Sequence, residues 1–125
     1  MIPLPRAVRI WVHRAPVDMR KSFDTLSALV RSGFGAEVLD GDVFVFVGRR
    51  RRNAKVLYWD GTGLIVLSKR LSKGRFAAPW QHPGTTALLW TLSELSLFLE
   101  GSELVGRVAL SPAPWQPEER GVVFR

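Results

Sequence analysis

Residues 42–68 read DVFVFVGRRRRNAKVLYWDGTGLIVLS, and this run decides the fold. Asp42 to Gly48 is apolar at successive positions, so a strand here has both faces covered and belongs in the centre of a sheet. Arg49 to Asn53 interrupt it with a polar break, and the β pattern resumes at Ala54 and continues to Trp59, which predicts a hairpin with a basic tip. Asp60-Gly61-Thr62-Gly63 is a second turn, and Leu64 to Ser68 make a third strand of the meander.

Upstream, Ala7 to His13 are apolar and β-branched enough for a strand that Pro16 closes. Asp18 stands where a helix N-cap is expected. Met19, Phe23, Leu26 and Val30 then recur on one face, opposite Arg20, Asp24, Ser27 and Arg31, so the pattern predicts an amphipathic helix over 19–31 ended by Gly33 and Gly35. Downstream of Lys69, the segment KRLSKGRFAAPWQHPG reads as a loop or irregular crossover. Thr85 to Trp90 offer another strand, and Thr91-Leu-Ser-Glu94 has capping-box spacing before a helix whose apolar stripe contains Leu92, Leu95, Phe98 and Leu99 and which Gly101 ends. The expected fold class is α+β: a single domain over 1–101 with a mainly antiparallel sheet of about five strands and two helices. Residues 102–125, with Pro112, Pro114 and Pro117, read as a C-terminal arm, in which Val122 to Phe124 offer an edge strand.

At 125 residues the chain has room for one sizeable core. Hydrophobic residues make up 46% and charged residues 23%, a composition that folds rather than staying disordered. It has no cysteine, which removes disulfides, thiolate nucleophiles and cysteine-bound zinc. Prolines and arginines break up the N-terminal segment, and no window has the roughly 18 uninterrupted apolar residues of a membrane span, so the expected location is cytoplasmic, away from membranes.

Eighteen Lys and Arg against eleven Asp and Glu leave a net charge of +7, which favours a polyanionic partner. Arg49, Arg50, Arg51 and Arg52 crowd one hairpin tip, where like charges repel unless an anion lies between them. Lys55, Lys69, Arg70, Lys73 and Arg75 follow from adjacent positions and could join the same surface, making a candidate phosphate-binding site. Neutralising about five phosphates corresponds to a slope near −4.5 in log affinity against log salt. A simply solvated tip is the alternative. Arg20 and Lys21 are expected in the first turn of the first helix, where cations oppose the macrodipole and an external anion would relieve them, unless Asp18 or Asp24 does so instead. Tyr58, Trp59, Phe76 and Trp80 flank basic positions as candidates for stacking on bases, or as core aromatics.

No catalytic residue, metal site, cofactor or small-molecule substrate is indicated. Of the carboxylates open to a two-metal site, Asp60 is accounted for by its turn, Glu94 by its capping box and Asp42 by a strand start, and Asp40 completes the set. His13 and His82 are far apart in sequence without a nucleophile partner.

Taken in order, Asp18-Met19-Arg20-Lys21, Phe44-Val45-Phe46, Arg49-Arg50-Arg51, Lys55-Val56-Leu57-Tyr58-Trp59-Asp60-Gly61, Lys69-Arg70-Leu71 and Lys73-Gly74-Arg75-Phe76 resemble a known family. It is that of the small second-frame accessory protein, TnpB, of the insertion-sequence sixty-six group of bacterial transposons. The resemblance spans roughly residues 8 to 101. Ala77-Ala78-Pro79-Trp80 departs from the family's usual Trp-Pro ending at this motif. The resemblance implies a non-catalytic factor encoded beside a transposase and needed for efficient DNA transposition. Two roles are open on this reading: contact with transposon-end or target DNA through the arginine tip and following basic loop, or a protein adaptor that binds the transposase or another transposon product.

Overall fold

The computed structural model describes residues 7–84 and 87–101. Five strands form one sheet: β1 (Ile10–Val12), β2 (Val43–Val47), β3 (Asn53–Trp59), β4 (Leu64–Arg70) and β5 (Leu88–Trp90), in the spatial order β4-β3-β2-β1-β5. Two helices complete the α+β domain, α1 (Phe23–Phe34) and α2 (Leu92–Leu99).

β2 lies at the centre, as its continuous apolarity requires, and its alternating side chains supply two cores. Phe44 and Phe46 point to the face that α1 covers, joining Val17, Leu26, Val30, Val38 and Leu57. Val45 and Val47 point to the opposite face, where Ile10, Val12, Val56, Phe76, Trp90, Leu95 and Phe98 pack. Burying these side chains is the main source of stability, at about 1.5–3 kcal/mol for each fully buried aliphatic or aromatic group.

Three of the four strand pairings are antiparallel. The exception is β1 with β2, which run parallel with Ile10 opposite Val43. Parallel neighbours need a crossover, and the segment containing α1 supplies it. β5 then returns antiparallel to β1, with Trp90 opposite Ile10.

Several boundaries differ from the sequence reading. The first strand is confined to Ile10–Val12, the last covers Leu88–Trp90 with Thr85 and Thr86 of the expected strand outside the described residues, and β4 runs two residues further than expected and carries Lys69 and Arg70 on the strand itself. α1 starts four residues late. Asp18 closes a turn instead of capping a helix: its side chain accepts from the Arg20 N–H at 2.9 Å and its carbonyl from the Lys21 N–H at 3.1 Å. Ser22 is the N-cap residue, with its N–H held by the Thr25 hydroxyl at 2.9 Å. Gly33 falls within α1, and Gly35, at φ 63°, is the residue that ends it. The second helix starts as its spacing predicts: Thr91 and Glu94 exchange N–H bonds at 2.9 and 3.2 Å. The C-terminal arm and its candidate strand at 122–124 lie outside the described residues.

Candidate nucleic-acid interface

The arginine tip is a four-residue loop closed by the Gly48 N–H on the Asn53 carbonyl at 3.0 Å. Inside it, the Arg51 N–H bonds to the Gly48 carbonyl at 2.9 Å, placing Arg49 and Arg50 at the two corner positions of the turn. Arg51 follows at φ 63°, a left-handed conformation that costs a non-glycine residue about 1–2 kcal/mol. Its compensation comes from the segment after β4. The Phe76 N–H donates to the Arg51 carbonyl at 2.7 Å, and the Arg51 Nε donates back to the Phe76 carbonyl at 2.8 Å. A third bond, from the Leu71 N–H to the Arg52 carbonyl at 3.0 Å, fastens the other end of this segment to the tip. Residues 71–76 are thereby pinned against the hairpin at both ends, and Lys73 and Arg75 are carried to the same end of the sheet.

Phe76 is the anchor of this arrangement, fully buried and stacked on Phe98 at 4.8 Å between ring centroids. It cannot stack on a base. Tyr58 and Trp59 sit at the far end of β3, roughly 17–20 Å along the strand from the tip at 3.4 Å per residue, and they pack on opposite cores. Trp80 packs, partly exposed, against the α2-side core. The stacking platform suggested by the sequence is therefore not assembled beside the arginines.

The cations divide sharply by what they already hold. Lys55 Nζ donates to the Lys21 carbonyl and Lys69 Nζ to the Leu99 carbonyl, each at 2.6 Å; the second places a positive charge at the negative C-terminal end of α2. Arg20 forks onto the Asp18 carboxylate, with Nη2 at 2.7 Å from Oδ2. That ion pair holds Asp18 well below the usual carboxylate range and raises Arg20, with Lys21 adding to the pull on Asp18. Arg20 and Lys21 precede α1 instead of occupying its first turn as expected, because the helix starts only at Phe23 after the Ser22 cap. Arg51 is committed to Phe76.

The side chains of Arg49, Arg50, Arg52, Arg70, Lys73 and Arg75 remain. All six residues are exposed, and none of these side chains forms a hydrogen bond or ion pair within the described residues. Arg70 joins the tip because it lies opposite Asn53 in the β3–β4 ladder. Beside them runs a shallow groove in two connected parts, one between Val17–Met19 and the tip, the other along Asn53–Lys55 and Ser68–Arg70; Met19 and Asn53 line both. Gly48 lets this wall close, since a Cβ there would stand 2.7 Å from Met19 Cγ. Met19 therefore belongs to the groove rather than to the helical stripe. The bare Gly48 preceding four arginines was its one trace in the sequence.

Three of the four candidate carboxylates have evident structural roles. Buried Asp42 accepts from the Arg9 N–H at 3.0 Å and from Trp11 Nε1 at 2.9 Å, and pairs with Arg9 Nε at 3.3 Å. Asp60 accepts from the Thr62 and Gly63 N–H groups at 2.8 and 2.9 Å, which lowers its pKa. Glu94 caps α2. Among the described residues no helix is long and apolar enough to cross a membrane.

Two proteins of Sinorhizobium fredii (strain NBRC 101917 / NGR234), y4jC and y4hO, both described as uncharacterized, are 40% and 37% identical over 101 residues. Those alignments take in 81% of this chain and 85% and 86% of the relatives. No solved structure matches. The family model described as IS66 Orf2 like protein matches residues 8–107, so the chain belongs to that family of transposition-associated accessory proteins.

Proposed function

We propose that this protein serves transposition by holding DNA through its phosphate backbone, with the strand chemistry left to the transposase. The observation that carries the reading is the group of six exposed cations at one end of the sheet, on a tip and a loop that the fold has fastened together. Like charges gathered on a rigid support repel at every ionic strength where screening is incomplete, and a line of phosphates relieves that repulsion. Five of the six are arginines, whose planar guanidinium meets a phosphate through two parallel hydrogen bonds. The proposed contact is with the backbone, which positions a protein on DNA without carrying sequence information.

Fluorescence anisotropy with labelled duplex and single-stranded DNA across a salt series tests this. Engaging all six cations gives a slope of about −5 in log affinity against log salt on duplex, and alanine at Arg49, Arg50 and Arg52 together removes about half of it. Binding that stays flat with salt, or survives the triple substitution, overturns the reading. Absence of binding at low salt, with transposase co-purifying after nuclease treatment, establishes the adaptor role instead.

A further inference from the structure

The two edges of the sheet are unlike. β5 exposes only three residues, too few to template another strand, whereas β4 is a seven-residue edge without proline, and among the described residues only β3 pairs with it. Proteins normally blunt so long an edge with charge. Here the charges occupy only the last two positions, and Lys69 directs its ammonium to the Leu99 carbonyl. Leu64 to Leu67 carry none.

The two faces of β4 differ as well. Leu64 and Val66 pack towards α1, but Leu67, opposite Val56 on the α2-side face, is 51% exposed. An apolar side chain at the centre of an open edge is unusual, because that is where a strand from another molecule gains most.

We propose that β4 pairs antiparallel with β4 of a second copy of this chain, joining two five-stranded sheets across a twofold axis at Leu67. Charge decides the direction. A parallel pairing sets Lys69 beside Lys69 and Arg70 beside Arg70, which is repulsive. The antiparallel register sets Arg70 opposite Leu64 and Lys69 opposite Ile65 of the other copy, while the two Leu67 side chains meet and lose their exposure. Such an interface is isologous and closes on itself; the shortness of β5 gives the other edge no means of extending the sheet into a fibre. Pairing of two seven-residue strands is a small interface, so the dimer forms reversibly with concentration. It carries the two arginine ends to opposite ends of the joint sheet. This inference stands apart from DNA binding, and either can fail alone.

The chain has no cysteine, so single cysteines report proximity without background. Leu67→Cys places two thiols directly opposite across the axis, at a spacing a disulfide spans. Leu89→Cys, on β5 and 46% exposed, is the control. Under mild oxidation Leu67→Cys is expected to form a covalent dimer at protein concentrations where Leu89→Cys stays monomeric. Sedimentation velocity of the unaltered chain should show a monomer–dimer equilibrium, and Leu67→Lys should raise its dissociation constant by roughly tenfold or more with the circular dichroism melt retained. Equal cross-linking of the two cysteine variants, or a monomer at all concentrations, overturns the proposal. Should Leu67→Lys fail to fold, the cysteine pair still decides.

Discussion

Asp42 is the residue on which composition and structure disagree most. A carboxylate is normally solvated, yet this one is 2% exposed between β1 and the start of β2. Its oxygens are satisfied by the Arg9 N–H, the Trp11 indole and the Arg9 guanidinium, which itself lies 5.3 Å from the centre of the Trp11 ring. The parallel β1–β2 pairing begins at this point, where the Val43 N–H reaches the Arg9 carbonyl at 2.9 Å. Asp42→Ala leaves a backbone donor and an indole donor without a partner and is expected to cost about 3 kcal/mol by denaturant unfolding. Asp42→Asn, which keeps an acceptor, should cost less. Wherever they are folded, both variants should bind DNA as the parent does in the anisotropy titration, because Asp42 lies outside the proposed interface. From sequence, Asp42 was legible only as a strand start; its burial depends on Arg9 and Trp11, more than thirty residues away.

The hairpin tip and the segment that clasps it make up the element on which the proposed function depends. The tip itself was legible, because a polar break between two β-patterned runs has few other readings. The division of labour among its four arginines was not. Nothing in Arg49-Arg50-Arg51-Arg52 marks the third as the left-handed residue that grips Phe76, while its neighbours face solvent. Arg51→Ala is expected to lower stability by about 1–2 kcal/mol with the salt slope of DNA binding changed little, since the lost bond is internal. Arg50→Ala should do the reverse, reducing the slope by about 1 and altering stability by less than about 0.5 kcal/mol. Thermal melts beside the anisotropy titration distinguish the two. α1 teaches a complementary lesson: its amphipathic stripe was readable from Leu26 and Val30, whereas Met19 lies before the helix and packs at the edge of the same core. The Asp18 turn removes Met19 from the helix and sets it against Gly48.

At the scale of the whole molecule, the α2-side core and the basic end are one structure. Phe76 is buried against Phe98 of α2 and Trp90 of β5 packs on the same ring at 5.0 Å, so the last two elements of the domain hold the residue to which the tip is tied. Phe76→Ala should destabilise the fold by about 3–5 kcal/mol, measured by urea unfolding. Well below the melting transition it should also weaken DNA binding, although the net charge is unchanged, because Lys73 and Arg75 lose their fixed position. A variant that loses stability but keeps its affinity would separate the core from the interface. The sequence by itself determined the central strand, the two turns of the meander, the capping box of α2, the α+β class and the family, because side-chain periodicity, turn residues and caps act within a few positions along the chain. Only the tertiary structure decided that β1 runs parallel to β2, that Phe76 is core rather than a base platform, and that six of eleven candidate cations have exposed side chains without an internal bond while others are spent on carbonyls and Asp18. Those outcomes rest on which distant backbone groups meet, and a local pattern carries no record of that.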